Sequence, residues 1–188
     1  MLAKCSNLRF TIENGCVTPT TATDAPILVY CNPCEEQRSQ LVSQLLLDEH
    51  TLSSTMDPDE TARLEFEPAH VAVILKRPDG VLQTMQIDDF GVASLGAFLF
   101  EDRLVIVQSD KTPLFQGGRP PFRCDSLRSA LLLLIYHSIA QFNGHVKIIH
   151  QMSNAIEEHI AYSLGNKALS SMFSLQKSLV YYQSAIHS

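Results

Sequence analysis

Cys31-Asn32-Pro33-Cys34 is the sharpest chemical pattern in the chain: two thiols in CxxC spacing, after a short apolar run and ahead of a stretch that reads as a helix. A helix start lowers a thiol pKa, which would favour nucleophilic attack by Cys31 in a dithiol redox pair. The βαβ pattern that should precede such a pair is missing. The plainer reading is a strand end carrying two small thiols. A zinc site would need a second pair, and Cys5, Cys16 and Cys124 do not supply CxxC spacing.

Asp57, Asp59 and Glu60, with Glu65 and Glu67 nearby, form the densest acidic cluster. Hard cations such as Mg²⁺ take carboxylate oxygens and keep some of their waters, so Asp57 and Asp59 are the candidate metal ligands. The plainer reading is a helix start, in which Asp57 caps, Pro58 takes the first helical position and Glu60 completes a capping box. None of the seven histidines sits in HExxH. His145 and His159 lie two heptads apart on one predicted helix, a spacing that allows a shared metal but fits solvated helix polars better. Glu157 and Glu158 read as a solvated face. Gly117-Gly118 lies in no phosphate-binding motif, and no nucleophile elbow surrounds any serine. The sequence predicts no enzyme site.

The elements that would position these residues fall into two stretches. Residues 1–110 read as a mixed sheet with short helices, and 111–188 as a long helical hairpin packed on it. Alternation over 8–12 predicts a strand stopped by Asn14-Gly15, a strong turn dipeptide. Residues 18–24 read as a Thr/Pro/Ala linker. Residues 27–30 predict a strand, and Leu41, Val42, Leu45 and Leu46 mark one face of a following helix. Further strands are expected at 63–66, 71–76, 81–87, 92–100 and 103–108, with turns at Pro78-Asp79-Gly80 and Glu101-Asp102. The 71–76 stretch is apolar enough to be covered on both faces.

After a Gly/Pro loop at 116–121, Asp125 or Ser126 can cap a helix reaching about residue 164, roughly 38 residues and about 60 Å long. Gly165-Asn166 stops it, and a second helix is expected at 167–187. Leu127, Leu131, Leu134, Ile135, Ile139, Phe142, Val146, Ile149, Met152, Ile156 and Ile160 recur at steps of three and four. The domain is too short to cover so long a face, so part of it is expected to meet another subunit or a further segment. The fold class is α+β, an α/β/α sandwich: a mixed β-sheet flanked by helices, then the long C-terminal helical hairpin.

The chain has 188 residues and is 45% hydrophobic, enough for one buried core. A net charge of −6 with scattered Lys and Arg speaks against nucleic acid, which needs a basic stripe. No signal peptide is expected at the start, and no apolar run approaches the length of a membrane span. With five cysteines, an odd number, the expectation is reduced thiols in a cytoplasmic setting.

Several segments, taken in order, resemble the N-terminal domain of CorA-type magnesium transporters. These are Leu47-Asp48-Glu49-His50-Thr51-Leu52 running on to Glu60, then Arg63-Leu64-Glu65-Phe66 and Val73-Ile74-Leu75-Lys76-Arg77-Pro78. Ser94-Leu95-Gly96-Ala97-Phe98-Leu99-Phe100 with Arg103-Leu104-Val105-Ile106-Val107 resembles that family's hairpin, and Leu175-Gln176-Lys177-Ser178-Leu179-Val180-Tyr181-Tyr182 its penultimate helix.

The resemblance implies a regulatory, cation-sensing domain on the cytoplasmic face of a bacterial inner membrane. It would belong to a homopentameric channel for Mg²⁺, Co²⁺ or Ni²⁺, and a zinc-transporting member of the same fold is the near alternative. The stalk, the membrane helices and their Gly-Met-Asn motif would lie beyond residue 188, so the chain reads as a piece of that protein. Many members carry Leu-Glu-Asp where this chain has Leu52-Ser53-Ser54, and that Asp is a sensor ligand in the family. Asp57 or Asp59, a helical turn on, is the expected substitute. The readings from other classes are a thiol redox protein using Cys31 and Cys34, and a helical-hairpin adaptor.

Overall fold

The computed structural model describes residues 7–79, 90–115, 121–162 and 166–188. Asn14 and Gly15 both take positive φ, as a two-residue hairpin turn demands. The turn joins β1 (Asn7–Glu13) to β2 (Cys16–Pro19), so part of the expected 18–24 linker is an edge strand. Its Thr/Pro composition hid that pairing. β3 (Ile27–Cys31) leads into α1 (Glu35–Leu45), where Leu41 is buried. Leu46 is not on the packed face: it takes the left-handed C-cap conformation and points to solvent. A six-residue helix that the periodicity did not predict, α2 (Glu49–Ser54), follows.

β4 (Arg63–Phe66), β5 (Val71–Pro78), β6 (Val92–Leu99) and β7 (Leu104–Gln108) complete a sheet ordered β2-β1-β3-β7-β6-β5-β4. Every neighbouring pair is antiparallel except β3 and β7, which run parallel with Ile27 opposite Leu104. The expected strand at 81–87 and most of the 116–121 loop lie outside the described residues.

Both sheet faces are covered, which is why β5, β6 and β7 are apolar almost throughout. On one face Leu41, Leu47 and Leu52 pack on Ala72, Phe98, Val105 and Val107. On the other, Ala130, Leu131 and Leu134 of α3 (Leu127–Tyr162) pack on Ile27, Val73, Leu95 and Ile106. The result is an α/β/α sandwich.

α3 begins where Ser126 Oγ accepts from the Ser129 amide at 3.2 Å, and it runs for 36 residues. Beyond the sheet it pairs with α4 (Asn166–His187), joining Phe142, Ile149 and Ile156 to Leu175, Tyr182 and Phe90. Ile139 and Val146, expected on the packed face, are exposed. With Leu132 and Tyr136 they form a second, outer stripe. Among the described residues no helix is long and apolar enough to cross a membrane.

Candidate functional site

The acidic cluster lies where the chain leaves α2 and crosses the sheet to reach β4. Asp48 caps α2, its carboxylate accepting from the Thr51 amide at 2.8 Å; that bond holds the Asp48 pKa below the usual range. Thr55 then lies flat on β6. Its methyl occupies the space a side chain at position 96 would fill: a Cβ added to Gly96 would stand 2.2 Å from Thr55 Cγ2. Glycine at 96 is therefore what lets the loop lie against the sheet.

Residues 57–60 do not start a helix. The Asp57 carboxylate turns onto its own loop and accepts from the Asp59 amide at 2.9 Å, while the Glu60 amide reaches Asp57 O at 3.3 Å. Such local side-chain bonding competes with helix, and β4 begins too soon for a helix to grow. Asp57 and Asp59 are exposed, and neither forms an ion pair among the described residues.

Beneath them is a cation. Lys76 on β5 is only 9% exposed, and its Nζ donates to Pro58 O at 2.6 Å and to Ser94 Oγ at 2.9 Å. Ser94, directly across from Lys76 on β6, donates in turn to Asp57 O. Burial pulls the Lys76 pKa below its ordinary value, and the charges of Asp57, Asp59 and Glu60 oppose that only in part.

Glu60 and Glu65 have other partners. Arg63 spans them, Nη1 to Glu60 at 2.7 Å and Nε to Glu65 at 2.6 Å. The bond to Glu65, then the two opposite charges, raise the Arg63 pKa against its desolvation. Ser54 Oγ donates to Glu60 Oε2 at 2.8 Å and accepts from Arg63 Nη2 at 3.1 Å. The Ser54 bond is the main influence holding the Glu60 pKa below its ordinary value. A carboxylate at position 54 would face Glu60 instead, so Ser at this position suits the network around it.

A cleft of about 160 Å³ separates this loop from the end of α4, lined by Asp59, Glu60 and Lys76 on one side and Tyr181, Ser184 and Ser188 on the other. The acidic loop and the last turns of the helical hairpin are thus neighbours.

The remaining candidates are placed as follows. Cys31 is the last residue of β3 and accepts from Gln108 Nε2 at 3.4 Å. α1 begins only after Cys34, so Cys31 stays in the sheet rather than at a helix start. Neither cysteine is in a disulfide. His145 is not solvated: it is 1% exposed, and its Nδ1 lies 2.7 Å from the Tyr182 hydroxyl. Burial lowers its pKa to about 4. Its supposed partner His159 has a side chain outside the described residues. Sequence reasoning assigned Lys76 no role, although a lysine and an arginine side by side at the end of an otherwise apolar strand are a readable signal.

Among the described residues no group of three or more His, Cys, Asp or Glu side chains is disposed to hold a metal. Two exposed carboxylates suit a hydrated Mg²⁺, which commonly binds through one or two carboxylates and keeps its waters. Asp57 and Asp59 fit that description and no tighter one.

Neither a protein-family model nor any curated protein matches the sequence. Solved structures do match in fold. The soluble domain of CorA from Methanocaldococcus jannaschii superposes with a TM-score of 0.73 at 15% identity, over 98% of this chain and 76% of that one. The complete CorA magnesium transporter of the same organism gives 0.68 at 14% identity, and the chain spans 60% of its length. The ZntB cytoplasmic domain from Vibrio parahaemolyticus gives 0.65 at 13%, over 96% of this chain and 74% of that one. The chain therefore has the fold of the CorA soluble domain.

Proposed function

We propose that this chain is the regulatory, cation-sensing domain of a CorA-like divalent-cation transporter, acting on the cytoplasmic side of a membrane and in a self-associated, pentameric assembly. The observation that carries the reading is the fold: 98% of the chain is accounted for by the CorA soluble domain. Mg²⁺ is the cation proposed, with Co²⁺, Ni²⁺ or Zn²⁺ as alternatives. The likeness to the ZntB domain keeps zinc in view. The work is binding and relay rather than catalysis.

Asp57 and Asp59 are the proposed sensor ligands, holding a hydrated ion that a neighbouring subunit completes. The cleft that Asp59 shares with the end of α4 gives such an ion a mechanical outlet, because a change in the loop bears on Tyr181 and Ser184. An ion can bias the assembly only as far as it prefers one arrangement over another. Self-association is supported by the apolar side chains that α3 and α4 leave exposed, among them Leu132, Ile139, Phe173 and Val180.

The test is a Mg²⁺ titration of the protein and of the Asp57→Ala/Asp59→Ala variant, followed by limited proteolysis. The wild type is expected to gain protection that the variant lacks. Identical titrations would remove the sensor assignment.

A further inference from the structure

We propose that Asn14 is a site of spontaneous deamidation to aspartate and isoaspartate, and that opening of the β1–β2 hairpin gates the reaction.

The chain contains the same dipeptide twice, Asn14-Gly15 in that hairpin turn and Asn143-Gly144 inside α3. The chemistry open to both is intramolecular. The main-chain nitrogen of the glycine attacks the carbonyl carbon of the asparagine side chain. The bond to the side-chain nitrogen breaks, and ammonia leaves with the proton of the glycine amide. Water then opens the cyclic imide at either carbonyl, giving aspartate or isoaspartate. Glycine suits the step because no Cβ crowds its nitrogen.

Ring closure requires the glycine nitrogen to eclipse the asparagine Cβ. Neither native conformation allows it. Asn14 is left-handed with φ 53°, a region where ψ is about +47°, and Asn143 is helical, where ψ is about −42°. The two differ in what must open to release them. Asn14 is exposed, in a turn that ends the outermost strand of the sheet. That turn is tied down by the Cys124 amide, which donates to Gly15 O at 2.9 Å, and by Arg123, whose Cγ lies 2.6 Å from where a Cβ on residue 15 would stand. Asn143 instead sits in mid-helix between Phe142 and His145, both buried against α4. Its release requires α3 and α4 to come apart.

Opening at a sheet edge costs far less than opening a packed core. Asn14 is therefore the residue that converts in the folded protein, while α3 keeps Asn143 intact. Isoaspartate adds a carbon to the main chain, so a two-residue turn no longer fits the Glu13–Cys16 pair.

The experiment is incubation of the full chain at mildly alkaline pH, folded and in denaturant. Peptide mass spectrometry follows the replacement of NH₂ by OH at each asparagine, and chromatography separates the isoaspartyl form. In denaturant Asn14 and Asn143 are expected to convert at similar rates. In the folded chain Asn14 should convert at least about tenfold faster than Asn143, yet more slowly than in denaturant. Val17→Ala, which trims a β2 side chain packed on the core, and Arg123→Ala should each speed conversion at Asn14 and leave Asn143 unchanged. Circular dichroism checks both folds; if Val17→Ala fails to fold, Arg123→Ala, altered at an exposed position, carries the comparison. Folded-state conversion at Asn143 as fast as at Asn14 overturns the proposal. So does an Asn14 rate that is the same folded and unfolded, or one that no folded variant changes.

Discussion

Two of the basic side chains the molecule buries, Lys76 under the acidic loop and His145 between α3 and α4, are surrounded in different ways. Lys76 has two oxygen acceptors, and three nearby carboxylates oppose, without cancelling, the burial that pulls its pKa down. His145 gives its proton up. It lies among Phe90, Phe142 and Tyr182 with one hydrogen-bonding partner, and burial drops its pKa to about 4. The contrast separates a polar group that is electrically active in the folded protein from one that serves as a shaped, neutral core residue. It also predicts different sensitivities for the two sites.

The largest expected effect is on the neutral side. Tyr182→Ala removes a buried ring that touches Phe142, Phe90 and His145, and should cost about 3–5 kcal/mol in chemical denaturation. A cost near zero would mean that the hairpin is not held by this cluster.

Next comes pH. The folded-state pKa of His145 lies below its unfolded value, so on acidification the unfolded chain takes up the proton first. Its contribution is complete above about pH 6.5 and is lost as pH falls toward 4, for a total of roughly 3 kcal/mol. Denaturation midpoints measured across that window should fall for the wild type and flatten in His145→Gln. Equal slopes would assign the titration to another group.

On the charged side, Ser94→Ala takes away the hydroxyl between Lys76 and Asp57 O and should cost about 1–3 kcal/mol. The smallest effect belongs to the partly exposed bridge: Arg63→Met is expected to cost about 1 kcal/mol or less. That cost should shrink with added salt, whereas the Tyr182 and His145 effects should not. A Tyr182→Ala penalty that salt also erased would break the comparison.

How far the sequence alone reached follows the same division. β5, β6 and β7 were legible because strands covered on both faces leave long apolar runs. α3 and α4 were legible because three- and four-residue steps continued over many turns. β2 is not legible as a strand, and its last two residues fall in the expected 18–24 linker, since Cys-Val-Thr-Pro carries little periodicity and owes its strand form to β1. α2 was missed because six residues offer a cap but scarcely two turns of pattern. The helix predicted at Asp57 failed because its capping signals were genuine Asx chemistry spent on a turn.

The site was half legible in the same sense. The carboxylates announce themselves by crowding, and Asp57 and Asp59 do lie together in an exposed loop. Their counter-charge comes from a strand far along the chain, and only the register Lys76 opposite Ser94 brings it there. His145 could not be told from a solvated helix histidine, because the face it occupies is decided by where α4 docks.

The single parallel pairing in the sheet has a consequence for how the chain assembles. β5, β6 and β7 follow one another in the chain as antiparallel neighbours, so their pairing needs only short closures. β3 can join only after the whole intervening chain has been drawn in, since Ile27 must find Leu104. Loop closure of that span slows the step, as non-local contacts generally do. The β1–β2 hairpin borders only β3, so it has no sheet to extend until that step is complete. Folding is expected to begin in the β5–β7 meander and end at the N-terminal edge, with amide protons of β1 and β2 the last to gain protection.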